Sequence, residues 1–176
     1  MSPEPTPSDV ARLGPRSGAA ARALATLCLR HGLAVVQVGH AEPIPGSYWG
    51  PPEAGLLRGR LYVRADTPLT SALHEACHYF CMDDVRRRTL DTDAGGDPLE
   101  ECAVCYLSVL LADQLPGYGQ DAMLLDMDRW GYSYRLGSAR AWFEEDAEDA
   151  RAWLERAGWV DAHGRLTAAH ARRAPA

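Results

Sequence analysis

The spacing of hydrophobic residues along the chain changes from helical to alternating and back again. Between residues 17 and 31, apolar side chains recur every three or four positions, for example at Leu24 and Leu27, and Gly32 follows. This spacing predicts a helix that ends at the glycine. The next two segments, LAVVQVGH and LLRGRLYVRAD, are rich in β-branched and alternating apolar residues. They predict two strands, the second ending near Arg64, that pair with each other as a hairpin.

Helical spacing returns in the second part of the chain. In DTPLTSALHEACHYFCMDD, Thr67 can cap a helix, and Pro68 can occupy its first turn, where the missing N–H group costs nothing. This helix is predicted to run to about Met82. Further helices are predicted at about residues 98–115, 121–130 and 138–156. The order of elements predicts an α+β fold: an N-terminal helix and a small mixed sheet of about three strands pack on the HEACH helix, and further helices follow.

Length and composition indicate one ordinary globular unit. A chain of 176 residues suffices for one domain with a sizeable core. The net charge is −6, and all 18 basic residues are Arg without a long basic cluster, which argues against a nucleic-acid surface. No stretch approaches the roughly 18 uninterrupted apolar residues of a membrane span, so no membrane partner is expected.

The N-terminal stretch MSPEPTPSDVARLGP is rich in Pro and lacks the apolar core of a secretory signal. We expect residues 1–16 to be a disordered leader, residues 17–170 to form a single domain, and residues 171–176 to be a disordered tail. The expected location is the cytoplasm. The odd number of cysteines, five, fits reduced thiols in that compartment better than a disulfide framework.

The short motif HEACH carries the most specific chemistry. On a helix, His74 and His78 lie one turn apart on the same face, close enough to share a metal ion. Glu75 points about 100° away from His74, beside the ligands, where a carboxylate can take a proton from a metal-bound water. The alternative is an ordinary helix with two histidines that make hydrogen bonds to the core and solvent.

A catalytic zinc needs a third protein ligand. Glu100 is the first candidate, because it points near the apolar face of its helix, where a carboxylate is costly unless paired or ligated. It can instead complete a capping box with Asp97. Glu101, projecting about 100° away towards Cys105, is a weaker candidate. Asp84 is also open, although Cys81 stands where the related zinc-peptidase pattern has a Gly.

The cysteines allow a competing metal site. Cys77 and Cys81 are four residues apart and Cys102 and Cys105 three apart, which is enough for a zinc site made of thiolates alone. Cys102 and Cys105 lie on the side of their helix opposite Glu100, so one helix orientation cannot offer both sets of ligands. Buried hydrophobic cysteines are the simpler interpretation.

The stretch RLYVRADTPLTSALHEACHYF, followed by LEECAVCYLSVLLADQLP, resembles the zincin metallopeptidases of the gluzincin class. It is most similar to the ImmA/IrrE-type peptidases and the very small gluzincins, over about residues 59–116. The resemblance implies that His74, His78 and Glu100 bind one Zn²⁺, because the downstream ligand of the family lies three residues before an Ala. It also implies that Glu75 is the base and that RLYVRAD is the edge strand that holds an extended substrate.

One position departs from the family pattern. The family commonly has Asp or Asn after that Ala, a residue that orients a ligand histidine, and this chain has Val104. The orienting partner must therefore come from elsewhere. A donor for the oxyanion is also needed, and the sequence offers Tyr132, Tyr134, Tyr79 and His163, of which the first two are favoured.

These features predict a zinc-dependent metallopeptidase that hydrolyses a peptide or protein substrate, with oligomeric state and specificity left open. A second hypothesis is a degenerate zincin that serves as a zinc-stabilised regulatory or protein-binding module. A third is a metal-free helical interaction domain that docks a partner through Trp142, Phe143 and Trp153. The segment around Trp49 is expected to cover the core.

Overall fold

The computed structural model describes residues 10–14 and 17–171. Within them the chain forms seven helices and three strands. In chain order these are α1 (Gly18–Arg30), β1 (Ala34–Gln37), β2 (Gly55–Leu57), β3 (Arg60–Val63), α2 (Leu69–Cys81), α3 (Asp84–Thr89), α4 (Pro98–Ala112), α5 (Gly119–Trp130), α6 (Ala139–Glu145) and α7 (Glu148–Arg156). The predicted tail, apart from residue 171, and most of the predicted leader lie outside the described residues.

The three strands form one mixed sheet in the order β1-β3-β2, which confirms the predicted α+β class. Strand β3 runs parallel to β1 and antiparallel to β2. The predicted pairing of the two β-rich segments as a hairpin is wrong, because LLRGRLYVRAD itself folds into the β2–β3 hairpin. Its two-residue turn, Arg58 and Gly59, has φ angles of 49° and 72°. Both values are positive, as in the turn type that matches the twist of antiparallel strands.

Helix α2 is the central element of the fold. It contacts β2, β3, α4 and α5, and every residue from Leu69 to Phe80 is buried except Glu75. Leu61 and Val63 alternate with more exposed residues along β3 and belong to the core that also contains Leu73 of α2. A helix buried on nearly all sides is held firmly by its neighbours, so its polar side chains have fixed positions.

The start of α2 differs from the prediction. The helix begins at Leu69, and the Thr67 hydroxyl accepts a hydrogen bond from the Arg64 backbone N–H at 2.9 Å instead of capping the helix. The Leu69 N–H donates to the carbonyl of Ala11 at 2.8 Å. Val10 is buried as well. Residues 10–14, within the predicted leader, therefore pack on the domain and complete the first turn of α2.

The helix predicted at about residues 138–156 is two helices, α6 and α7, with a break at residues 146–147. Its aromatic residues pack inside the domain: Phe143 stacks on Tyr106 with ring centroids 4.4 Å apart, and Trp142 stacks on Tyr134 at 4.8 Å. These rings are thus occupied within the chain. None of the helices in the described part combines the length and apolar content that crossing a membrane requires.

Candidate metal centre

The two histidines of α2 meet through their outer ring nitrogens. His74 Nε2 lies 3.1 Å from His78 Nε2, and the rings are nearly perpendicular with centroids 4.7 Å apart. Both residues are buried, at 7% exposure. Two buried imidazole nitrogens this close can bond each other, one donating and one accepting, or they can share a third partner.

That partner is Glu101 of α4. Its two carboxylate oxygens each contact one histidine: Oε1 lies 3.2 Å from His74 Nε2, and Oε2 lies 3.2 Å from His78 Nε2. The predicted ligand Glu100 lies elsewhere, since its carboxylate is 2.8 Å from Arg86. The prediction of Glu100 is therefore corrected: the carboxylate that meets the histidines belongs to the next residue along the helix.

The cap of α4 and its neighbour α3 explain this helix orientation. The Asp97 side chain accepts from the Glu100 N–H at 2.8 Å, so the predicted cap forms. The Glu100 side chain does not return to the cap, because Arg86 of α3 takes it and also donates to the Ala94 carbonyl at 2.6 Å. A side chain on Gly96, whose φ is +99°, would meet the Glu100 carboxylate at 2.9 Å. The Glu100 carboxylate is thus held by an ion pair with Arg86.

The other proposed ligands lie away from the histidines. The Asp84 side chain is 83% exposed and pairs with Arg87. All five cysteines are free, and in residues 10–14 and 17–171 no group of three thiols comes within metal-ligand distance. The thiolate-only site is therefore not formed.

One cysteine does approach the histidines. Cys105 Sγ lies 3.9 Å from His74 Nδ1 and 3.9 Å from Glu101 Oε1. Burial raises the pKa of the Cys105 thiol, so the group stays protonated at neutral pH. Cys105, the residue after Val104, is thus the neighbour of the His74 Nδ1 nitrogen. The Nδ1 nitrogen of His78 is buried and has no hydrogen-bond partner among the described residues.

Glu101 and His78 shift each other's pKa. Burial lowers the pKa of His78, but the hydrogen bond to Glu101 and the nearby carboxylates outweigh burial, so the pKa is raised. Burial raises the pKa of Glu101, and the hydrogen bonds from His74 and His78 outweigh it, so the pKa falls well below the ordinary range. A carboxylate with a depressed pKa keeps its negative charge, and this charge favours a cation at the site.

Glu75 lies next to this cluster without joining it. No described residue donates a hydrogen bond to its carboxylate, and the two histidines and Glu75 offer atoms within 4.8 Å of one another. Burial raises the pKa of Glu75 despite the neighbouring histidines. A partly buried carboxylate with a raised pKa accepts and returns a proton more readily than an exposed one.

Two cavities open on the cluster. The larger, of about 280 Å³, is lined by Trp49, Glu53, Ser71, His74, Glu75, Glu101, Trp130, Gly131 and Tyr132. The smaller, of about 220 Å³, shares four of these residues and adds the loop at residues 92–95. Trp49, expected to cover the core, is 79% exposed and belongs to both cavities. It stands at the mouth of a cleft that runs past Glu75.

Of the four proposed oxyanion donors, Tyr132 is the one that lines this cleft. Its ring lies 5.4 Å from that of His74, and burial holds its pKa well above the usual value, which keeps the phenol a donor. Tyr134 points towards Met127, Tyr79 donates to the Gly32 carbonyl, and His163 is exposed in a loop.

The edge strand beside the cleft is not the one that the resemblance implies. RLYVRAD contains β3, which is the central strand and not an edge. The edge beside the cleft is β2, and the chain itself occupies it: the Thr92 N–H donates to the Leu56 carbonyl at 3.0 Å, and the Leu56 N–H donates to Gly46 at 3.2 Å. A substrate strand cannot pair with Leu56 while these bonds exist.

The residues present fit a metal ion. Two imidazole nitrogens and a carboxylate converge, which is the donor set of three that catalytic zinc sites use, and the cavities leave room beside them. The sequence did not predict Glu53 in the cavity wall, because no local sequence feature indicates that the turn before β2 faces α2.

Comparisons of the chain with protein-family models, with curated proteins and with solved structures find no match.

Proposed function

We propose that the protein is a zinc-dependent metallopeptidase. His74, His78 and Glu101 hold the ion, and Glu75 is the general base. The observation that carries the proposal is the contact of both Glu101 oxygens with the two imidazoles at 3.2 Å. Two buried histidines can occur in any helix, but a carboxylate from a second helix that bridges both of them, next to an uncommitted glutamate, is the arrangement of a catalytic site.

Each side chain has a defined task in peptide hydrolysis. The bound ion would supply Lewis acidity, which lowers the pKa of water and polarises a carbonyl. Glu75 accepts the proton of the attacking water and then gives it to the leaving nitrogen, a task that its raised pKa supports. Tyr132 donates a hydrogen bond to the oxygen of the tetrahedral intermediate, because its phenol is protonated and lines the same cavity.

A zinc-stabilised module without activity is the second candidate, and Cys105 favours it. His74, Glu101 and Cys105 form another group of three possible ligands. If the thiol joined His74, His78 and Glu101, the ion would have four protein ligands and no open position, and the chemistry would be lost. The two candidates differ in what happens when Cys105 is replaced by Ser: a peptidase keeps its metal, whereas the module loses it.

The test combines metal content with hydrolysis. Full-length protein purified without chelators should contain about one zinc per chain by mass spectrometry. Hydrolysis of a mixed peptide library is then followed for the wild type, Glu75→Gln and Cys105→Ser. We expect Glu75→Gln to keep zinc and to lower the rate by about 10²- to 10⁴-fold.

Two outcomes would contradict the proposal. Wild-type protein without zinc would remove the metal site. Zinc-loaded wild type that cuts no library peptide faster than Glu75→Gln, together with zinc loss in Cys105→Ser, would favour the module. Equal cleavage by both proteins would point to a contaminating peptidase.

A further inference from the structure

Recognition by the sheet edge is restricted beside the histidines. The outward N–H and C=O groups of Leu56 are bonded to Gly46 and Thr92 of the same chain. The main-chain pairing that usually holds an extended peptide is therefore not available at this residue. Side chains that line the cleft have to contribute the selectivity next to Glu75.

The larger cavity has a distinct chemical character. Its nine lining residues include three glutamates, three aromatic residues and no Arg, namely Glu53, Glu75, Glu101, Trp49, Trp130 and Tyr132. In the proposed function, Glu101 holds the ion and Glu75 transfers the proton. Glu53 has no such task, and it leaves a surplus negative charge in the cavity wall.

Glu53 is held in place by a single contact. Trp130 Nε1 donates to Glu53 Oε1 at 3.1 Å, the one hydrogen bond that the described residues make to this side chain. Burial raises the pKa of Glu53, although Trp130 and His74 partly offset the effect. A half-buried carboxylate without a cationic partner gains free energy when a positive group enters beside it.

We propose that this cavity binds a positively charged group of the peptide substrate and that Glu53 selects it, an inference that rests on the function proposed above. The aromatic walls suit the same ligand, because ammonium and guanidinium groups are attracted to the faces of Trp and Tyr rings. A peptide offers this charge in two ways, as its free N-terminal ammonium or as the side chain of Lys or Arg.

Binding can be measured without turnover. Zinc-loaded Glu75→Gln protein is titrated with three pentapeptides of otherwise identical sequence: one with a free N-terminus and no basic residue, one N-acetylated with a central Arg, and one N-acetylated and neutral. Calorimetry reports binding, and so does a change in the tryptophan fluorescence of the protein, since Trp49 and Trp130 line the cavity. The titrations are repeated with Glu53→Gln added, and with Asp93→Asn added as a control in the smaller cavity.

We expect at least one cationic peptide to bind about tenfold more tightly than the neutral one. Glu53→Gln should remove this preference, and Asp93→Asn should keep it. The peptide that shows the preference identifies the source of the charge. Equal affinities, a preference that survives Glu53→Gln, or no binding of either cationic peptide would overturn the inference.

The inference and the proposed function can fail separately. If the charge preference is present but wild-type protein does not cleave the bound peptide, the cavity is a cation site and the peptidase proposal fails. If wild type cleaves all three peptides at similar rates and affinities, the peptidase proposal stands and the role of Glu53 fails. Thermal unfolding of Glu53→Gln verifies that the variant is folded.

Discussion

Two pairs of histidines lie ring to ring in this protein, one in the cleft and one on the far side of α2. His74 and His78 have centroids 4.7 Å apart and share Glu101. His31 and His170 have centroids 5.3 Å apart, and Trp159 lies against both. The first pair meets a carboxylate, whereas the second meets aromatic rings.

The surroundings shift the pKa of His31 and the pKa of His78 in opposite directions. Burial lowers the pKa of His31 to about 4, and the nearby His170, Arg30 and Arg87 add to this effect. The pKa of His78 is raised, since Glu101 and other carboxylates outweigh burial. Histidine proximity alone therefore does not indicate a metal site. The carboxylate decides whether a buried pair attracts a cation or repels it.

The largest expected effect comes from removing that carboxylate. Replacing Glu101 with Gln keeps the volume but removes the charge that faces both imidazoles. We expect zinc affinity to fall by at least about 100-fold, since even partners that only orient a ligand contribute 10- to 100-fold. Competition with a chromogenic chelator measures the affinity.

Glu100→Gln is the matched control, because it changes the adjacent residue in the same way. Its carboxylate pairs with Arg86 at 2.8 Å, away from the histidines, so zinc affinity should stay within about threefold of the wild type. A large loss of zinc affinity in Glu100→Gln, with none in Glu101→Gln, would restore Glu100 as the ligand predicted from the sequence. It would contradict the assignment of Glu101.

Zinc should stabilise the protein through only one of the two pairs. At free zinc 100-fold above Kd, binding adds about 2.7 kcal/mol to the free energy of unfolding, which raises Tm by about 5–10 °C for a domain of this size. We expect His31→Phe to keep this shift and His74→Phe to lose it. Differential scanning calorimetry with and without zinc measures both. If His31→Phe lost the zinc-induced rise in Tm, the metal would bind at His31 and His170 instead of at His74 and His78.

The sequence could predict the part of the site that lies within one helix. The spacing of His74 and His78 fixes their common face wherever α2 packs, because helical geometry is local. The choice between Glu100 and Glu101 depends on the rotation of α4 against α2, which a single residue step changes by about 100°. A core-facing carboxylate needs a partner, and Glu100 has one in Arg86 of α3, a helix that the sequence does not predict.

In the sheet, too, the sequence predicts the local elements but not how they pair. The strand segments were evident from β-branched residues, but their pairing was not. Arg58 has a φ of 49°, an unusual conformation for a residue other than Gly, so the turn between β2 and β3 carried only the weak signal of Gly59. Missing that turn also concealed β2 as the edge beside the cleft, and with it the position of Glu53.

The smallest expected effect is the pH dependence of the two pairs in metal-free protein. The folded state disfavours protonated His31, so its contribution to stability is complete above the ordinary pKa of 6.5 and declines as the pH falls towards 4. Because His31 is partly exposed, the loss should be about 1 kcal/mol. His78 has the opposite sign: its raised pKa contributes stability below pH 6.5 that is lost as the pH rises through the raised value.

Thermal unfolding between pH 4.5 and 8 in the presence of a chelator separates these contributions. Relative to the wild type, His31→Phe should be less sensitive to acid, because no group at that position then takes up a proton on unfolding. Glu101→Gln should flatten the decline on the alkaline side, because His78 loses the carboxylate that raises its pKa. If both variants changed the thermal stability at the same end of the pH range, the two pairs would not differ in the way their surroundings require.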